Sequence, residues 1–135
     1  MKPFDVDIIR DNIPIYSVGA STMIDDSTGY IFLRRFSATT EKEVVAALDT
    51  LLSKGMKRLL FDLRGNSGGY LEQAAAISDQ FITTIDTLVY TMGKIKESNQ
   101  VFRSSESKGR GDYSLIVMIN SCLLYTSPSP RDISR

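Results

Sequence analysis

Arg58-Leu59-Leu60-Phe61-Asp62 is a short apolar run closed by charge at both ends, and helical patterns stand on either side of it. A strand with no polar face has to be covered on both, and crossover helices are what cover a parallel sheet in this way. Upstream, Thr40 followed by Glu43 spells a capping box, in which hydroxyl and carboxylate each satisfy a free amide of the first turn. Val44, Val45, Leu48, Leu51 and Leu52 then recur at helical spacing as one apolar face. Gly55 ends that helix, because glycine takes the left-handed conformation without a Cβ penalty. Downstream, Leu71, Ala74, Ala75, Ser78 and Phe81 give a second helical face, with alanines small enough for close approach to a sheet. Thr87 to Met92 reads as a further strand, and Leu115 to Asn120 as a last, buried one. Strand, helix, strand, helix, strand predicts an α/β fold with right-handed crossovers.

The N-terminal part reads as strands. Phe4 to Arg10 largely alternates apolar and polar residues, as a half-buried strand does, until Asp11-Asn12 and Pro14 break it. Val18 to Ile24 and Tyr30 to Phe36 flank the turn residues Asp25-Asp26-Ser27-Thr28-Gly29, which predicts a hairpin. Gly93 to Gly111 is polar and mixed, the pattern of a hairpin or a surface loop. Within it Arg110-Gly111-Asp112 spells an integrin-type tripeptide, which is read here as coincidence.

With 135 residues, 42% hydrophobic and 24% charged, the chain has the balance of one folded domain. Its formal net charge is +0, so there is no electrostatic footprint for nucleic acid. No apolar run approaches the length of a bilayer span. The start, Met1-Lys2-Pro3-Phe4-Asp5, lacks the apolar core of a signal peptide. There is no histidine, so a Ser-His-Asp triad or a histidine-bearing metal site cannot be completed from these residues. Cys122, the single cysteine, offers neither a disulfide nor a metal cluster, and no cofactor is called for.

The segment that carries chemistry is Asp62-Leu63-Arg64-Gly65-Asn66-Ser67-Gly68-Gly69, between the apolar strand and the second helix. Its glycines let a ligand approach the backbone closely. The helix that follows turns its free amides and positive dipole end toward the same place. Such a place stabilises negative charge, either a phosphate or the oxyanion of acyl transfer. The spacing is neither the dinucleotide-binding glycine pattern nor the phosphate-binding one. A strand-glycine-helix loop can also be no more than a tight turn, and Asp62 with Arg64 either braces the loop or forms an ordinary ion pair.

The segment closely resembles the Asp-Leu-Arg-x-Asn-x-Gly-Gly motif of the C-terminal processing (tail-specific) serine peptidases. Gly29-Tyr30-Ile31 with Arg35-Phe36, Gly69-Tyr70-Leu71 after the motif, and the strand ending at Asn120 follow in the family's order. The resemblance implies a partial peptidase core of the ClpP/crotonase-like type over residues 18–121. Residues 1–17 would be the end of a PDZ-like domain and its linker. It implies a parent that hydrolyses peptide bonds near the C-termini of protein substrates by a serine nucleophile with a lysine base, in the periplasm or cell envelope. Both residues would lie beyond Asn120, the serine at the position filled here by Tyr125, so Ser121, Ser127 and Ser129 are bystanders. The backbone amides of Gly68 and Gly69 become the oxyanion donors, Gly68 foremost, with Asn66 shaping the loop and Asp62 and Arg64 bracing it. A non-catalytic relative that binds peptide C-termini and a crotonase-type acyl-CoA enzyme stay open as alternatives.

Cys122 to Asp132 resemble something else. Back-translated, they match a transposase-type sequencing adapter read in frame, with Ile133-Ser134-Arg135 as the start of a sample index. A tail of that origin is not selected to pack. Residues 122–135 are therefore expected to make few apolar contacts with the core, and the encoded chain is expected to be a fragment without peptidase activity.

Overall fold

The computed structural model describes residues 15–94, 99–105, 112–121 and 123. The strand expected at Phe4 to Arg10, the PDZ-like segment, Arg110-Gly111, and Tyr125 with nearly all of the 122–135 tail lie outside them. Strands β1 (Val18–Met23) and β2 (Thr28–Leu33) precede helix α1 (Thr40–Ser53), strand β3 (Arg58–Asp62) and helix α2 (Leu71–Asp79). Strands β4 (Thr87–Thr91), β5 (Gln100–Arg103) and β6 (Ser114–Met118) complete the order. The main sheet runs β1-β2-β3-β6, with β1 and β2 antiparallel and β2, β3 and β6 parallel. The expected hairpin forms around Asp25, whose carboxylate accepts the Ser27 and Thr28 amides at 2.8 Å each.

The core lies between the sheet and α1. Ile31 and Leu33 of β2, Leu59 and Phe61 of β3, and Val44, Leu48 and Leu51 of α1 are all buried there. Each such side chain is worth about 2 kcal/mol of burial. The C-terminus of α1 closes as its glycine predicts: Gly55 has φ +88°, its amide donates to Leu52 O, and the Met56 amide donates to Leu51 O. That pair of reversed bonds turns Met56 back onto the core, where it packs with Leu51 over Gly29.

Three expectations need correction. The capping box of Thr40 and Glu43 does not form. Thr39 holds the cap position without a side-chain bond to a helix amide, and Thr40 is the buried first residue of the helix. Its hydroxyl accepts the Ser37 amide and donates to Ser17 Oγ, both at 2.7 Å. Glu43 accepts the Ser17 and Val18 amides at 2.8 and 3.0 Å and the Thr39 hydroxyl at 2.7 Å. Ser17 is buried, and its amide needs an acceptor more than the solvated first turn does.

The second helix buries Ala75, Ile77 and Asp79, while Leu71 and Ser78 of the expected face are exposed. It packs between α1 on one flank and the β4–β5 pair on the other, so a single apolar stripe does not describe it. Ser105 ties its end down, donating from N–H and Oγ to Asp79 at 2.7 and 2.9 Å. The strand expected at Thr87 forms, apart from the main sheet. It pairs antiparallel with β5 as a separate sheet, a hairpin carried within the crossover from β3 to β6. Finally, the Leu115–Asn120 strand is not buried. It lies at the sheet's edge with Leu115, Ile116, Val117 and Ile119 exposed.

Candidate active site

The glycine loop begins where β3 ends, at the carboxyl ends of three parallel strands. This is the side of an open α/β sheet on which ligands bind. Asp62, the last residue of β3, is 2% exposed. Arg64 donates to its carboxylate from Nε at 2.9 Å, from Nη2 at 2.8 Å and from its backbone amide at 3.0 Å. The Tyr30 hydroxyl donates to Oδ2 at 2.8 Å from the neighbouring strand. The side chains differ sharply in solvation, with Arg64 55% and Asp62 3% exposed. This is therefore not a pair of two solvated ions.

These donors hold the Asp62 carboxyl well below the usual carboxylate range. The Arg64 side chain does most of this, the Arg64 amide and Tyr30 add to it, and burial pushes the other way. The same bonds push the Tyr30 phenol and the Arg64 guanidinium up. A depressed folded value stabilises above the unfolded carboxylate value of about 3.9, and the contribution is lost as pH falls through the folded value. Asp62→Asn is accordingly expected to flatten the acid limb of stability below about pH 4. Urea midpoints measured against pH check this, and an unchanged acid limb would contradict it.

Beyond Arg64 the chain turns at Gly65, φ +73°, whose amide donates to Asn120 Oδ1 at 3.0 Å. Leu63 donates to Met118 O at 2.9 Å, so the loop is fastened to the exit of β6 at two points. Asn66 is fully buried. Its Nδ2 donates to Leu33 O at 3.0 Å and its Oδ1 accepts the Gly68 amide at 2.7 Å. Gly68 and Gly69 have φ +88° and +145°, where side chains are rarely tolerated. Gly69 forms a parallel bridge with Phe36, through Phe36 N to Gly68 O and Tyr70 N to Phe36 O, both 2.9 Å. Its own N–H thus faces away from Phe36. The residue is exposed, and among the described residues no acceptor meets that amide. Helix α2 starts two residues later with no side-chain cap on its first turn.

The expected site residues therefore come together, with one redistribution. The Gly68 amide is taken by Asn66, and it is Gly69 whose amide is open. Tyr30 and Asn120 were missed as loop partners. Tyr30 is out of phase with the core residues Ile31 and Leu33, a polar-tipped aromatic on the face that Asp62 shares. That phase was the available signal.

Residues 27–122 match the family model described as Peptidase family S41. The chain belongs to peptidase family S41. Carboxy-terminal processing protease CtpA of Bacillus subtilis (strain 168) is 35% identical over 116 residues, covering 86% of this chain and 24% of the relative. Carboxyl-terminal-processing peptidase 1, chloroplastic, of Arabidopsis thaliana is 36% identical over 95 residues, covering 70% and 19%. The S41 chain thus spans about a quarter or less of the length of these relatives. A solved structure of a photosystem II D1 C-terminal processing protease superposes with a TM-score of 0.62 at 17% identity, over 82% of this chain and 31% of that one. At that identity the likeness is one of fold. No helix among the described residues is long and apolar enough to cross a membrane.

Proposed function

We propose that residues 18–121 are the amino-terminal part of the catalytic core of a serine-type C-terminal processing endopeptidase, and that the glycine loop supplies its oxyanion donor. The open Gly69 amide carries this reading. It is fixed by left-handed backbone on either side of a buried asparagine and stands just ahead of a helix N-terminus. When a serine hydroxyl attacks the scissile carbonyl, the carbonyl oxygen takes up negative charge, and a preorganised N–H there lowers the barrier without reorganising. Gly68 shapes the loop through Asn66, and Asp62 with Arg64 and Tyr30 braces its first turn. The ties to Met118 and Asn120 bring the exit of β6 to the same end of the sheet. A nucleophile on the turn after β6 would share a substrate carbonyl with Gly69, and a lysine further along would be its base.

On this reading residues 1–17 are the end of a PDZ-like domain and 122–135 are adapter-derived. The intact enzyme acts on protein C-terminal regions in the periplasm or cell envelope, and the encoded chain is inactive. A fluorophosphonate probe is expected to label no residue of the 135-residue chain, while labelling a parent restored past Asn120. Labelling of the short chain would overturn the assignment. Sequencing the source DNA across Asn120 is expected to show a small-residue run with a serine at the Tyr125 position. A genome that continues Cys-Leu-Leu-Tyr-Thr would refute the tail's origin. A parent without serine and lysine would leave a peptide-binding relative, and one that binds coenzyme A would point to an acyl-CoA enzyme.

A further inference from the structure

The donor half of the glycine loop is fixed from one side of β3, and the strand that leads to the proposed nucleophile lies on the other. Asn66 Nδ2 donates to Leu33 O at the end of β2, and Gly69 is bridged to Phe36 just beyond it. The open Gly69 amide therefore takes its place from the β2 side. β6 stands across β3 from there, in the order β1-β2-β3-β6. The β3–β6 ladder ends at Asp62 and Met118. Past that point the chains part, Leu63 to enter the loop and Ile119 to leave the sheet. They are still joined by Leu63 N–H to Met118 O at 2.9 Å and by Gly65 N–H to Asn120 Oδ1 at 3.0 Å. The first bond is backbone to backbone and independent of side chains. The second needs a side chain of one reach and one chemistry, and Gly65 presents its amide from a turn at φ +73°.

We infer that Asn120 is a positioning residue: its Oδ1, held by the Gly65 amide, sets the distance between the turn after β6 and the Gly69 amide. The inference rests on the peptidase reading above, in which that turn bears the serine. Charge develops on the carbonyl oxygen while a bond forms at the adjacent carbon, so serine and amide have to be placed together. A misplacement of about 1 Å can cost about a hundredfold in rate. Asn120 is exposed, so its side chain fills no gap in the core. An aspartate offers the same acceptor at the same reach, a glutamine carries the same groups one methylene further out, and an alanine has none. Arg64 lines the same cavity as Asn120, so a carboxylate at this position has a cation nearby.

On the 135-residue chain, Asn120→Ala is expected to speed exchange of the Gly65 amide and to shift the Gly69 amide resonance. An unmoved Gly69 resonance overturns the inference. The kinetic test uses the parent restored past Asn120 and a fluorophosphonate probe. The serine oxygen bonds to phosphorus, fluoride leaves, the hydroxyl proton passes to the lysine, and the phosphoryl oxygen takes the carbonyl oxygen's place at Gly69. Asn120→Ala and Asn120→Gln are expected to lower the saturating rate of labelling about thirtyfold with the half-saturating probe concentration unchanged, whereas Asn120→Asp lowers it by no more than about threefold. A labelled parent whose Ala and Gln variants label at its own rate overturns this inference and leaves the peptidase reading standing. So does a loss confined to the half-saturating concentration, or an Asn120→Asp loss as large as that of Asn120→Ala. A restored parent that is not labelled at all overturns the peptidase reading and this inference with it. Should Asn120→Ala fail to fold by circular dichroism, the comparison of Asn120→Gln with Asn120→Asp decides.

Discussion

Gly69→Ala is expected to cost about 3 kcal/mol or more in unfolding free energy, whereas Gly68→Ala costs about 1 kcal/mol. Both residues have positive φ, so both substitutions meet backbone strain. Only Gly69 is also crowded. A Cβ there would overlap the Phe36 carbonyl oxygen, while at Gly68 nothing lies within 4 Å. The obstacle at Gly69 is backbone, and that same carbonyl is already fixed by the Tyr70 amide at 2.9 Å, so it cannot yield without opening the bridge. Urea midpoints of the two variants, taken at one protein concentration, separate strain from overlap. Equal losses would mean that the Phe36–Gly69 contact contributes nothing.

Asn66→Ala is expected to lose about 3 kcal/mol, because two backbone groups depend on one buried carboxamide. The Leu33 carbonyl and the Gly68 amide would both lose the partner that this buried carboxamide supplies. Asn66→Asp tells the two bonds apart. It keeps an acceptor for Gly68 but sets a carboxylate against the Leu33 carbonyl, so its folded pKa is raised above the unfolded value. Such a group destabilises most when ionised, and the variant should regain stability as pH falls and the carboxyl protonates to become a donor. A pH-independent deficit would show that the bond to Leu33 is not the one that matters.

Much of this was legible in the chain. The run Arg58–Asp62, the apolar positions of α1 and the stop at Gly55 all report local geometry, and each lies where its pattern requires. The glycine loop was legible for the same reason, since residues that need positive φ announce themselves. What failed was whatever depended on a distant partner. Thr40 and Glu43 carry the letters of a capping box, yet Ser17 and Val18 claim both side chains from more than twenty residues away. Leu115–Asn120 has the composition of a central strand, but exposure depends on what stands beside it, which composition does not record. The choice between Gly68 and Gly69 turned on where one asparagine oxygen points.

The fastening of the glycine loop to β6 has a consequence for how the protein acquires its shape. Residues from β1 to β3 are near neighbours in sequence and can organise early, since closing short loops costs little entropy. The Gly65–Asn120 bond joins residues 55 apart, with α2 and the β4–β5 hairpin between them in the chain. The Gly65 end of the loop therefore has its outer anchor only when the chain up to Asn120 is in place. Interrupting the chain before that asparagine would leave Asp62, Arg64 and the glycines in place in the sequence and the loop without its outer anchor.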